Sequence, residues 1–394
     1  MSNLNDTVIV SAKRTPVGSF QGSLSSFSAS DLGSLVIKAL VDEIKIEPNS
    51  IDEVIMGNVL SAGQGQAPAR QAAIKAGLPD SVECLTINKM CGSGLKAVML
   101  GAQSIQLGDA EIIISGGMES MSQSPYLLPN VREGLRLGHN NVIDSILVDG
   151  LWDVYNDKHM GSCAELCANE KNFSRKDQDL FAKESYNRAQ EAESKGLFND
   201  EIVPLNVNQR KGDPLCVEKD DEPLRANFKK MDLLKPVFKK NGTITAANAS
   251  KINDGAAALL LMSRGKANEL GLEIHANILG QSSSANDPEW FTTAPIGAID
   301  KVLEKSSLKV DDIDLWEVNE AFAVVPMAVI NNFNLDHSKV NVNGGGIALG
   351  HPIGASGARI LTTLIYAMKK RNAKRGIATL CIGGGEASAV VIER

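Results

Sequence analysis

The chain lacks the markers of several large protein classes. Its 40 lysines and arginines are outnumbered by 47 aspartates and glutamates, a net charge of −7, which argues against a general role on nucleic acid or an anionic membrane surface. No apolar run approaches the roughly 18 residues that a membrane-spanning helix needs. No basic-then-apolar leader opens Met1-Ser-Asn-Leu4, and the closing Val-Ile-Glu-Arg394 is no peroxisomal address. A cytoplasmic protein is expected. The six cysteines (84, 91, 163, 167, 216, 381) form no Cys-x-x-Cys pair and no metal-like cluster, so reduced thiols and no metal site are expected. Two nucleotide signatures are missing: no Gly-Lys-Ser/Thr ends a phosphate loop, and no G-x-G-x-x-G is followed by a suitably spaced acid. What remains is ordinary globular material, 43% hydrophobic and 4% aromatic over 394 residues, too long for one core and pointing to two domains or more.

Three glycine-rich runs each present one reactive side chain. They are Asn88-Lys-Met-Cys-Gly-Ser-Gly-Leu95 around Cys91, Asn343-Gly-Gly-Gly-Ile-Ala-Leu-Gly-His-Pro-Ile-Gly-Ala-Ser-Gly-Ala358 around His351, and Leu380-Cys-Ile-Gly-Gly-Gly385 around Cys381. Glycine gives up side-chain packing so that the backbone can turn sharply or approach a ligand, so such runs imply a site built from main-chain N–H donors.

The two halves of the sequence repeat each other. Lys38 to Gly57 reads as a helix followed by a short strand, and Lys301 to Asn319 has the same order. Strand-like 82–87 leads through Cys-Gly-Ser-Gly into a helix ending near Gly108, then strand 111–115 and a Gly-Gly turn. Strand-like 339–342 leads through the His351 loop into a helix over 358–370, then strand 377–381 and three glycines. Two similar βαβ-type units are implied. Cys91 and His351 open equivalent helices and Asn319 and Cys381 follow equivalent strands, so a pseudo-twofold packing of the halves brings all four to one seam. Residues 122–249 read as a polar, helix-poor, loop-rich insertion, after which 250–262 returns to the first half as an apolar strand.

A free cysteine is ordinarily an inert small hydrophobe, and Cys84, Cys163, Cys167 and Cys216 are read that way. Cys91 is read as a nucleophile, because a helix opening beside it would aim free N–H groups and a positive dipole end at the sulfur and stabilise thiolate. For Cys381 the pattern leaves a passive thiol in a tight turn equally open. His351, followed by proline among small residues, has little apolar packing to explain it. Between residues 225 and 240, Arg225, Lys229, Lys230, Lys235, Lys239 and Lys240 face Asp232 alone, a run read as contact with a phosphorylated cofactor rather than a solvated face.

Taken together, Asn88-Lys-Met-Cys-Gly-Ser-Gly-Leu-Lys-Ala97, Gly116-Gly-Met-Glu-Ser-Met-Ser-Gln-Ser-Pro125, Val318-Asn-Glu-Ala-Phe-Ala323, Gly350-His-Pro-Ile-Gly-Ala-Ser-Gly357 and Cys381-Ile-Gly-Gly-Gly385 closely resemble the thiolases, over nearly the whole chain. Lys89-Met90-Cys91, where the β-oxidation members usually have Arg-Gln-Cys, points to the biosynthetic branch. The resemblance implies an α/β, five-layered αβαβα fold of two similar halves (1–121 with 250–272, and 273–394). A loop domain, 122–249, would cover the coenzyme A channel, and the assembly would be a homotetramer, a dimer of dimers. It implies acetyl-CoA C-acetyl transfer to give acetoacetyl-CoA, with coenzyme A and acetyl-CoA as substrates and no permanently bound cofactor. Residue by residue, Cys91 would be the acylated nucleophile, His351 its base, Cys381 the second acid/base, Asn319 the holder of an oxyanion-binding water, and Gly383 a backbone donor. Coenzyme contacts would fall on His159, Met160, Arg225, Phe238, Ala249, Ser250 and Phe322. The chain departs from the pattern at Ala247 and Lys251, where glycines are frequent, at Trp152 near the acyl pocket, and at Glu386. None of these replaces a catalytic group, and they bear on acyl chain length.

The chemistry agrees with these residue types. Attack of a thiolate on a thioester keeps the acyl group activated, and a second base can remove the α-proton of an incoming acetyl-CoA. Three alternatives stand beside this reading: a degradative 3-ketoacyl-CoA thiolase of broader chain length, a decarboxylating ketoacyl synthase, and a non-catalytic acyl-CoA-binding protein. Retention of all four reactive side chains argues against the last.

Overall fold

The structure, a computed structural model, describes residues 6–394. The chain runs through β1 (Thr7–Arg14), α1 (Ala29–Ile44), β2 (Glu53–Gly57), α2 (Pro68–Lys75), β3 (Glu83–Ile87), α3 (Ser93–Leu107), β4 (Ile112–Ser120), α4 (Met160–Glu170) and α5 (Arg175–Ser194). It continues through β5 (Asn253–Ser263), β6 (Ala276–Ala285), α6 (Ala294–Lys305), β7 (Leu315–Val318), α7 (Val324–Phe333), α8 (Ser356–Arg371), β8 (Arg375–Ile382) and β9 (Glu386–Glu393), with shorter pieces between.

One mixed sheet takes the strands in the order β7-β8-β9-β6-β1-β5-β4-β2-β3. At its centre β1 meets β6 through only two residue pairs, Val8 with Asn277 and Ile9 with Ala276. Outward from that contact both sides repeat one pattern: two further antiparallel pairings, then parallel ones. The duplication read from the sequence is therefore a twofold-like arrangement of the sheet about β1 and β6. Segment 339–342 does not form the strand expected there. Val340 makes a single parallel bridge to Trp316, because a short helical turn, His337–Lys339, uses up the residues before it.

Strand residues alternate between two apolar surfaces, as they must when helices cover both faces. Val54 and Met56 pack with α1 and α2, whereas Ile55 faces α3 and α8. In the second half Ile377 and Val391 pack with α4, α6 and α7, whereas Ala378 and Ile392 face α3 and α8. Five layers result, with α3 and α8 in the middle.

Two readings need correction. The 122–249 segment is not helix-poor, since it holds α4 and the 20-residue α5. Ser174 and Asp177 form a capping box at the start of α5, but three of its eight buried positions (Gln178, Asp179 and Ser185) are polar, which blurs the helical stripe in sequence. Gly116 and Gly117 also lie inside β4 rather than in a turn. A Cβ at Gly116 would meet Ala257 O of the neighbouring β5 at 2.1 Å, and one at Gly117 would meet Gly354 O at 2.0 Å, so Gly116 permits close strand pairing and Gly117 lets the His351 loop lie directly on β4. Segment 122–249 is tied to β1 by buried Arg14, which pairs with Glu201 Oε1 at 2.6 Å and Asp220 Oδ1 at 2.7 Å.

Candidate active site

The seam between the halves is made by the starts of α3 and α8. A Cβ at Gly357 would lie 2.3 Å from Leu95 N, and one at Gly94 would lie 2.8 Å from Ala358 N. Only glycine at both positions lets the two helix N-termini cross so closely, which draws the loops ahead of them together. Cys91, His351, Cys381 and Gly383 line one cavity of about 440 Å³ there. Glu119, fully buried on β4, holds the floor of the seam by accepting the Val59, Leu60 and Gly354 N–H groups at 3.0, 3.1 and 2.9 Å and Asn58 Nδ2 at 2.9 Å. Burial pushes its carboxyl up to about 7.

The hydrogen bonds around His351 fix its tautomer. Ser356 Oγ donates its one proton to Pro352 O at 2.8 Å, so at 2.6 Å from His351 Nδ1 it can only accept. The proton therefore sits on Nδ1, and Nε2, buried and without a partner, keeps a free lone pair. Burial, then the Arg359 charge, lowers the imidazole to about 3. Asn319, at the end of β7, lies behind the ring with Nδ2 3.5 Å from His351 Nδ1, too long to matter as a bond. It is buried, and its Oδ1 has no partner.

The thiols differ from expectation. Cys91 keeps some exposure, yet loss of water around the sulfur pushes the thiol up to about 11 against bonds from the Gly383 and Cys91 N–H groups. Cys381 is buried, and burial, then Cys91, raises it well above the ordinary thiol value. Cys91 is not the stabilised thiolate that the helix start suggested, because desolvation outweighs the N–H donors, and Cys381 is raised by the same cause. The resting site is a neutral imidazole with neutral thiols.

On the outer side, His159, Met160, Arg225, Phe238, Ala249, Ser250 and Phe322 line the same cavity. Phe238 stacks on His159 with centroids 4.6 Å apart, and a Cβ at Gly161 would collide with its ring at 2.3 Å. His159 Nδ1 accepts the Gly161 N–H at 2.9 Å, and burial lowers its imidazole below the ordinary value, so it is neutral. Of the six basic residues between 225 and 240, only Arg225 reaches the main cavity; Lys230 joins it on a side chamber of about 190 Å³. Trp152 is 40% exposed and its Nε1–H is held by Asp157 Oδ1 at 3.0 Å, outside the cavity wall. Cys163 and Cys167 are buried and Cys84 half-buried, but Cys216 is exposed and not a core filler. Sequence reasoning missed Leu151, Phe291 and Ile353 as wall residues; no motif marks the first two, and Ile353 lies inside the His351 run but carries no reactive group. Lys251 was noted only as a departure, yet it lines the cavity and donates to the carbonyls of Ala246 and Ala249.

Such a seam, with two thiols and one imidazole between duplicated α/β halves, defines a class, and comparison with known proteins agrees. Residues 7–265 match the family model "Thiolase, N-terminal domain" and residues 272–394 match "Thiolase, C-terminal domain". The chain belongs to the thiolase family. Within it, the chain is 53% identical over 393 residues to an acetyl-CoA acetyltransferase of Cupriavidus necator, covering 99% of this chain and 100% of that one. A Bacillus anthracis acetyl-CoA acetyltransferase superposes with a TM-score of 0.96 at 42% identity, over 98% of each chain. A thiolase of Ascaris suum, solved in complex with coenzyme A, superposes at 0.94 with 43% identity, over 99% of this chain and 100% of that one.

Proposed function

We propose that the chain is an acetyl-CoA C-acetyltransferase, condensing two acetyl-CoA molecules reversibly to acetoacetyl-CoA and coenzyme A through an acetyl group on Cys91. One observation carries the division of labour: the free Nε2 of His351 shares a cavity with two protonated thiols. In the first half His351 Nε2 takes the Cys91 proton as the sulfur attacks the thioester carbonyl. The bond to coenzyme A breaks, and Cys381 gives its proton to the departing sulfur. Cys381 is then a thiolate, and its raised affinity for a proton makes it a strong base. In the second half it removes the α-proton of a second acetyl-CoA. The enolate carbon bonds to the acetyl carbonyl, the bond to Cys91 breaks, and Cys91 recovers the proton held by His351. The Gly383 and Cys91 N–H groups serve the acyl oxygen. His351 Nε2–H serves the enolate oxygen, together with a water donating its other hydrogen to the free Oδ1 of Asn319. Each such donor typically contributes about 3 kcal/mol to the transition state.

Support for a short acyl group comes from the apolar cluster of Val59, Leu60, Met121, Ile146 and Ile353, against which Cys91 packs. Thiolysis of acetoacetyl-CoA is expected to exceed that of C8 and C10 3-ketoacyl-CoA by more than about tenfold in kcat/KM, since each misplaced methylene costs about 1–3 kcal/mol. Comparable rates in a spectrophotometric assay would assign the broader, degradative activity instead.

His159, Met160, Phe238, Ala249, Ser250 and Phe322 would hold the pantetheine arm, and Arg225 a phosphate. Arg225→Ala is expected to raise KM for coenzyme A about five- to tenfold with kcat within about twofold, because a remote phosphate is bound alike in ground and transition states. Added salt should weaken wild-type binding in the same direction. An unchanged KM would remove Arg225 from the site.

With this reading go the division 1–121 with 250–272, 122–249 and 273–394, a cytoplasmic location and no permanently bound cofactor. No helix among the described residues is long and apolar enough to cross a membrane. Exposed Tyr126, Leu135, Leu137 and Val142 on one segment support burial against other copies in a homotetramer.

A further inference from the structure

The loop between β3 and α3, which carries Cys91, and the turn between β8 and β9, which follows Cys381, touch at two levels. Inside, a Cβ at Gly92 would lie 2.3 Å from Ile382 Cδ1, and Gly383 and Cys91 line the same cavity. Outside, Lys89 Nζ pairs with Glu386 Oε2, with 25% and 40% of the two side chains exposed. Lys89 lies two residues before the nucleophile and Glu386 three after Gly383, so the pair bridges the two loops whose spacing sets the oxyanion donors.

Each end is anchored on its own side. The Lys89 N–H donates to Ser93 Oγ at 2.8 Å, and Glu386 sits in the ladder opposite Ile382 and Ala285. Between Cys381 and Glu386, Gly384 and Gly385 have φ of 91° and 85° and no side chain to brace the turn against the other half. A part-exposed ion pair contributes little to folding stability, so the effect of this one lies in geometry.

Resting on Cys91 as the nucleophile, we infer that the Lys89–Glu386 ion pair is a positioning device that holds the Gly383 N–H against the acyl carbonyl on Cys91. Lys89→Met, Glu386→Gln and the exchanged double variant Lys89→Glu/Glu386→Lys test it, read by single-turnover acetylation of Cys91, kcat, KM for acetyl-CoA and Tm. The single variants should acetylate about five- to tenfold more slowly, a fraction of the roughly hundredfold that a 1 Å misplacement costs, with KM and Tm unchanged. The double variant should return to within about twofold of the wild type. Single variants acetylating at the wild-type rate, or a double variant no faster than they are, overturn the inference. If the wild type takes up no acetyl group on Cys91, it is the nucleophile assignment that fails.

Discussion

Cys381→Ala should still take up an acetyl group from acetyl-CoA at Cys91, yet make no measurable acetoacetyl-CoA. The first half can proceed without Cys381 because a thiolate is a fair leaving group even when no acid protonates it, so acetylation slows but persists. The second half has no substitute, since no other group lining the cavity combines a free thiol with this burial. General-base removal typically costs 10²–10⁴-fold, and the condensation rate should fall by at least about 10³-fold. Cys91→Ala, by contrast, should never carry the label. Intact and peptide mass spectrometry after brief incubation, run beside the condensation assay, separates the two roles. An acetyl group on Cys381 of the wild type, or normal condensation by Cys381→Ala, would falsify the division of labour.

Loss of the His351 ring should disable both halves together. In His351→Ala the Cys91 proton has no acceptor and the enolate oxygen loses a donor, so kcat/KM is expected to drop about 10³–10⁴-fold while the Kd for coenzyme A stays within about twofold. The wild-type pH profile carries the same information. With the imidazole lowered to about 3 and the Cys91 thiol raised to about 11, the neutral pair that reacts is the resting form between those values. Acetylation rate should therefore be level from about pH 5 to about pH 9, its acid limb displaced below the histidine range and its alkaline limb above the thiol range. A rise with a midpoint near pH 6.5 would show that His351 titrates in the free protein and that its burial does not govern the base.

The sequence made the duplicated plan readable because its signals are local. Ile-Asp before each short strand and the glycines at each helix opening recur in both halves. They led to the starts of α3 and α8 and to the four reactive side chains near one seam. Properties that depend on distant neighbours were not readable. Helix α5 buries Gln178 and Asp179, whose partners come from residues 173, 175, 243 and 248, so its hidden face does not look apolar in sequence. The acidity of Cys91 went the wrong way because a helix start is visible in sequence and the depth of a cavity is not. Gly116 and Gly117 looked like a turn because the backbone they make room for lies more than 130 residues away at Ala257 and Gly354. The proton on His351 Nδ1 depends on a serine five residues on that spends its own proton on Pro352.

The position of β5 bears on how the chain reaches this form. Residues 253–263 fill the gap between β1 and β4, so the first half of the sheet cannot close until the whole 122–249 segment has left the ribosome. Until then β1 and β4 present open edges and α3 has no α8 to cover its inner face. Such long-range pairing is slow, and unpaired apolar edges invite association with other chains. A nascent chain halted near residue 250 would be a segment awaiting the strand that joins its two edges, with both edges open to solvent until that strand is made.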